Sequence, residues 1–120
     1  MTHLVWFRHD LRVRDNPALS DALAAGPTVG CFLVCEKQWR EHDVGDRRLA
    51  FLLRTLQALH GELTRLNVPL RVVRAPTFAQ VPSALQRLCK ELHVESLYFN
   101  EEYPLNERRR DIAAEAKRGD

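Results

Sequence analysis

Four short apolar runs alternate along the chain with longer segments whose apolar positions recur every three or four residues. The runs are Leu4 to Phe7, Val29 to Val34, Leu70 to Val73 and Ser96 to Phe99. They are continuous rather than alternating, the pattern of strands buried on both faces of a parallel sheet. The segments between them carry helix signals. Asn16-Pro17 is an N-cap followed by proline at the first helical position, and Gly26-Pro27 ends that helix. Leu49, Leu52, Leu53, Leu56, Leu59, Leu63 and Leu66 form a long amphipathic stripe, stopped by Asn67 and Pro69. Val81, Leu85, Leu88 and Leu92 form a third stripe. Its start is ambiguous: Thr77 and Gln80 have the spacing of a capping box, whereas Pro82 breaks the first turn of a helix begun there. A fourth helix is expected to open near Pro104 and run toward Arg118.

The order β-α-β-α-β-α-β-α, joined by right-handed crossovers, predicts a Rossmann-like α/β fold, an open parallel sheet with helices on both faces. Residues 1–120 form one domain in this reading. No strand follows the fourth helix, so the sheet is expected to be cut short before a fifth strand and the chain to be a piece of something longer. With strand order 3-2-1-4-5, Ser96-Leu97-Tyr98-Phe99 is then an exposed apolar edge. Such an edge is expected to pair with a second copy, or to lie under a displaced fourth helix.

Composition narrows the class. With 120 residues, 45% hydrophobic and 28% charged, the chain is globular and not disordered. No apolar stretch approaches membrane-span length, and Met1-Thr2-His3 runs straight into the first strand without a signal peptide, which points to the cytoplasm. Lys+Arg 18 against Asp+Glu 16 gives a net charge of +2, too small to argue for nucleic-acid binding. Arg108, Arg109 and Arg110 lie between Glu107 and Asp111, as a solvated helix face or a phosphate patch. Cys31 and Cys35, if extended, stand about 13 Å apart, beyond the ~7 Å reach of a disulfide. With Cys89 they read as reduced, packed thiols, and they are too few and too spaced for a metal site.

The glycines Gly26, Gly30, Gly45, Gly61 and Gly119 form no dinucleotide fingerprint and no P-loop. Ligands of open α/β sheets bind outside the carboxyl ends of the strands, so the candidates are the segments that follow each strand. Arg8 to Asn16 alternates charges that either order the loop through ion pairs or face a partner domain. After the second strand, Trp39 is placed to cover the sheet end, and His42 is the titratable ring, in a loop where a lone histidine is often merely exposed. After the fourth, Asn106 and Glu107 fall in the first turn of the expected helix. There Glu107 complements the helix dipole, or the pair hydrogen-bonds a heterocycle bearing N–H donors.

Trp6-Phe7-Arg8-His9-Asp10-Leu11-Arg12-Val13-Arg14-Asp15-Asn16-Pro17-Ala18-Leu19 resembles the W-F-R-x-D-L-R-x-x-D-N-x-A-L opening of DNA photolyases and cryptochromes. Asn100-Glu101-Glu102-Tyr103 with Asn106-Glu107-Arg108-Arg109-Arg110-Asp111 resembles the N-x-x-Y…N-E-R-x-R-D segment of the same family, closest to folate-type bacterial cyclobutane dimer photolyases. The resemblance implies the amino-terminal antenna domain of a flavoenzyme whose carboxy-terminal helical domain holds FAD and ultraviolet-damaged DNA. An antenna passes light energy to reduced FAD, which donates an electron that splits the dimer. By position, methenyltetrahydrofolate contacts are implied at His42, Asn106 and Glu107, with no catalytic residue in this chain. Other relatives use a deazaflavin or flavin antenna, or none. The chain alone is expected to bind no FAD and repair no DNA. Alternatives are a cryptochrome-like photoreceptor and a stand-alone nucleotide-binding module.

Overall fold

The computed structural model describes residues 2–41, 45–100 and 107–111. Strand β1 (Thr2–Phe7) lies at the centre of a five-stranded sheet, with β2 (Thr28–Val34) and β3 (Leu70–Arg74) on one side. On the other side are β4 (Val94–Asn100) and β5 (Glu107–Asp111). The order β3-β2-β1-β4-β5 matches the expected topology, and the pairs among β1 to β4 are all parallel. Burial of both faces explains the continuous apolar runs: Leu4, Val5 and Phe7 of β1 are fully buried.

The helices Pro17–Ala25, Asp46–Arg65 and Val81–Leu92 follow from the signals named above. Helix α1 (Pro17–Ala25) starts on Asn16, whose Oδ1 accepts from the Leu19 backbone N–H at 3.2 Å. It ends at Gly26, whose φ of 153° is backbone that side chains rarely adopt. Helix α2 (Glu36–Glu41) is a short addition where a loop was expected; Glu36 in its first turn complements the helix dipole. Helix α3 (Asp46–Arg65) buries only Leu56, Leu59 and Leu63 of its leucine stripe. The ambiguity before the third stripe resolves into two consecutive elements. Thr77 and Gln80 close their capping box on a 3-10 turn (Phe78–Gln80), and Pro82 then occupies the first turn of α4 (Val81–Leu92), where its missing N–H costs nothing.

The two faces carry separate cores. Leu85, Leu88 and Cys89 of α4 pack on Leu4, Cys31, Leu97 and Phe99. On the opposite face, α1 and α3 pack Leu19, Leu59 and Leu63 on Val5, Phe7, Phe32 and Tyr98. Gly30 belongs to that second face because a Cβ there would stand 2.8 Å from the Phe7 ring and 3.4 Å from Leu63. Gly30→Ala is therefore expected to destabilise the domain by about 1–3 kcal/mol, as overpacking does; chemical denaturation measures it.

The carboxyl end of the sheet departs from expectation. Glu107–Asp111, assigned above to a fourth helix, is a strand that pairs antiparallel with β4, from Asn100↔Glu107 to Ser96↔Asp111. Every side chain in Glu-Arg-Arg-Arg-Asp is charged, so a helix there has no apolar face to lay on the sheet. As a strand, the same segment satisfies the backbone groups along β4. The sheet is thus not cut short at four strands, β4 is not its edge, and self-association through an exposed fourth strand loses its basis.

All three cysteines are free, buried thiols. Burial pushes Cys89 up to about 11 and raises Cys31 and Cys35, with neighbouring Cys89 adding to the rise at Cys31. The unfolded chain ionises its thiols near 9.0, so their contribution to stability is complete below that pH. It is expected to be lost as pH rises from 9.0 through about 11, and Cys89→Ala should flatten that slope in a melting-temperature series. Among the described residues, no helix is long and apolar enough to cross a membrane.

Candidate functional site

Chain order reverses at β1: β2 and β3 are laid down to one side, β4 to the other. In open α/β sheets this switch point, at the carboxyl ends of the strands, is where a crevice opens. Here the segments after β1 and β4 meet. Asp10 Oδ1 accepts from the Arg8 backbone N–H at 2.9 Å, and Asp10 Oδ2 accepts from Asn100 Nδ2 at 2.6 Å. Asn100 Nδ2 also donates to Asn16 Oδ1 at 2.7 Å, and Asn100 Oδ1 accepts from the Ala18 backbone N–H at 3.0 Å. Asn16 Nδ2 donates to the Arg12 carbonyl at 2.9 Å, while the Arg12 guanidinium donates to the carbonyls of Arg14 and Asp15, each at 3.1 Å. The alternating charges after β1 therefore order their own loop, chiefly by hydrogen bonds to backbone.

Beside this loop, over the ends of β1 and β2, lies a cleft of about 1020 Å³. Its walls are the Arg8–Arg12 segment, Trp39 of α2, the first turns of α3 and the 3-10 turn with Phe78. Trp6, Phe32 and Leu33 line it from the sheet, and Cys35 from just beyond β2. The Trp39 ring packs 6.4 Å from Phe32, so this residue covers the sheet end as its position suggested. The Arg8 guanidinium lies 4.8 Å from the Trp6 ring centroid and 5.4 Å from that of Phe99, and it donates to the Asn100 carbonyl. Cation–π contact of this kind holds an indole in one orientation.

The cleft is basic as well as aromatic. Arg8, Arg12, Arg47 and Arg48 all contribute to its lining. Arg47 and Arg48 stand in the first turn of α3, where the helix dipole already places positive charge, and Gly45 caps that helix without a side chain. Phe51 and Phe78 remain 66% and 54% exposed at the mouth. A slot with aromatic walls and guanidinium groups at its rim suits a planar, conjugated molecule carrying an anionic tail.

A family model described as DNA photolyase matches residues 3–119. The chain belongs to the DNA photolyase family. It is 36% identical over 116 residues to the deoxyribodipyrimidine photo-lyase of Salmonella typhimurium, which covers 95% of this chain and 24% of that protein. The corresponding protein of Escherichia coli is 32% identical over 116 residues, 95% of this chain and 25% of the relative. Cryptochrome-2 of Gallus gallus is 38% identical over 95 residues, 78% of this chain and 16% of the relative. The chain thus spans about a quarter of the length of the photo-lyases it matches.

Of the three residues assigned to a folate, His42 and Asn106 lie outside the described residues. Glu107 opens β5 directly opposite Asn100, instead of standing in the first turn of a helix. Its backbone is thereby at the carboxyl end of β4, the edge expected of it. The sequence reading missed the part played by Trp6, Arg47, Arg48, Phe51 and Phe78. Phe51 falls between the positions of the leucine stripe, and nothing local marks a cleft shared by four elements.

Proposed function

We propose that this chain is the antenna domain of a light-dependent deoxyribodipyrimidine photo-lyase. The cleft over the carboxyl ends of β1 and β2, beside the switch point, is aromatic within and basic at its rim, and it carries that reading. The antenna is methenyltetrahydrofolate, with His42, Asn106 and Glu107 as its contacts in this chain. When bound, it supplies near-ultraviolet absorption and passes the energy on to a flavin. This chain's residues bind and orient it: Glu107 accepts from the pterin N–H groups, Asn106 bonds its polar edge, and His42 packs or bonds beside it. The rim arginines suit the folate's carboxylates. FAD and ultraviolet-damaged DNA belong to a helical domain carboxy-terminal to this one, and the protein works in the cytoplasm.

The cleft itself favours a second reading for the chromophore. About 1020 Å³ is ample for a three-ring system, and Trp6 with Trp39 offers faces to stack it. A flavin or deazaflavin antenna would enter there and leave Glu107 unused.

Repair of cyclobutane dimers by the whole protein under light tests the main reading against a cryptochrome-like photoreceptor. Dimer splitting driven by near-ultraviolet light supports the photo-lyase, and its absence in a folded, flavin-loaded protein overturns it. The 120-residue chain alone is expected to purify colourless and to split no dimers. FAD, identified by mass after its release from that preparation, would count against a separate FAD domain.

A further inference from the structure

Asn100 ends β4 with a side chain that makes three hydrogen bonds, all to distant residues. Both amide hydrogens go out, to Asp10 and Asn16, and the carbonyl oxygen takes the Ala18 N–H. Asp10 passes the contact on to the Arg8 backbone, and the Arg8 guanidinium returns to the backbone carbonyl of Asn100. The result is a closed ring of contacts from Asn100 through Asp10 and Arg8 back to Asn100, with the Trp6 indole under the guanidinium.

The sheet does not need this ring. Strands β1 and β4 are already joined from His3↔Ser96 to Val5↔Tyr98, and α1 already has its N-cap in Asn16. What the ring determines is the place of residues 8–12, which have no regular secondary structure and make one wall of the cleft.

We propose that Asn100 is a positioning residue for the chromophore cleft, acting through Asp10 and Arg8 to hold the Trp6 ring and the Arg8–Arg12 wall at the spacing of a planar, anionic ligand. This rests on the reading of the cleft given under Proposed function. Asn100 touches no ligand in this scheme. It sets the geometry of groups that do, as the outer partners of metal ligands set theirs.

Trp6 and Trp39 are the chain's two tryptophans and both line the cleft, so intrinsic fluorescence reports on it directly. The experiment titrates FMN and methenyltetrahydrofolate separately into the 120-residue chain and follows quenching, with near-ultraviolet circular dichroism for the indole environment. Asn100→Asp removes both donors and sets a second carboxylate against Asp10. It is expected to weaken the better probe roughly tenfold, the scale on which supporting partners act, and to alter the indole dichroism. Adding Asp10→Asn to that variant restores a donor opposite an acceptor and should recover most of the affinity. Leu88→Ala, in the core on the α4 side, should lower the melting temperature and leave affinity unchanged. Should Asn100→Asp fail to fold, Asp10→Asn alone carries the comparison, with a smaller loss expected. Wild-type affinity in both the Asn100→Asp and Asp10→Asn proteins overturns the positioning role and leaves the cleft reading intact. So does an affinity loss that merely follows melting temperature across all variants, Leu88→Ala included. Binding of neither probe by the wild-type chain overturns the cleft reading, and this inference with it.

Discussion

Replacing Glu107 by alanine in the whole protein is expected to weaken methenyltetrahydrofolate binding by roughly 10- to 100-fold. A carboxylate that accepts hydrogen bonds from a pterin makes a charge-assisted contact, and removing one partner leaves the ring's N–H groups desolvated without an acceptor. Such losses run to about 1.5–3 kcal/mol, with each 1.4 kcal/mol worth about a factor of ten. The near-ultraviolet band that folate brings should fall with occupancy. Repair driven by direct excitation of the flavin should persist, because FAD is assigned to the other domain. Titration of folate into wild-type and Glu107→Ala protein, with absorbance and repair rate followed together, checks both halves. Equal folate affinity in the two proteins would rule out Glu107 as a contact and shift the balance to a flavin-type antenna stacked on Trp6 and Trp39. The strand conformation of Glu107–Asp111 sharpens the test. Its opposite number in the ladder is Asn100, so the variant changes a side chain at a position whose backbone is anchored by β4.

The largest effect on stability is expected from Phe7→Ala, at about 3–5 kcal/mol, the usual range for emptying a buried aromatic site. Phe7 is fully buried at the end of the central strand, and its ring fills the space left by Gly30 in the neighbouring strand. Relaxation is restricted there, because β1 has hydrogen-bonded neighbours on both sides. A loss of that size is a large share of the 5–15 kcal/mol typical of a domain. Guanidinium or urea denaturation measures it as a lowered midpoint at unchanged slope. Gly30→Ala in the Phe7→Ala background should cost less than in the wild type, since the ring that its methyl meets at 2.8 Å is gone.

Local signals sufficed where a segment's conformation depends on its own residues or on burial of a whole face. The continuous runs of β1, β2 and β4 announce strands covered on both sides, and their alternation with helices dictates parallel pairing and right-handed crossovers. Asn16-Pro17 starts α1 and Gly26-Pro27 ends it by backbone chemistry confined to a few residues. Thr77, Gln80 and Pro82 were each legible, but as rivals for one helix start. The structure gives each its own element, because a 3-10 turn can precede the helix.

The carboxyl edge divided the same way. That a ligand site should lie after β1, β2 and β4 follows from the open parallel sheet that the pattern along the chain predicts. Glu107 was misread as helical because Pro104 is a local start signal, whereas pairing with β4 is a demand made by another strand's unsatisfied backbone. The Asn100–Asp10–Arg8 ring closes between residues 90 to 92 positions apart, and no spacing rule reaches that far. Likewise the cleft draws its walls from the β1 loop, α2, α3 and the 3-10 turn, elements that become neighbours only once the sheet has formed. The chain's own pattern of residues therefore sets the fold, the family and the edge where a ligand belongs. Long-range hydrogen bonds and packing decide which side chains meet there, because those contacts exist only between elements that the folded sheet brings together.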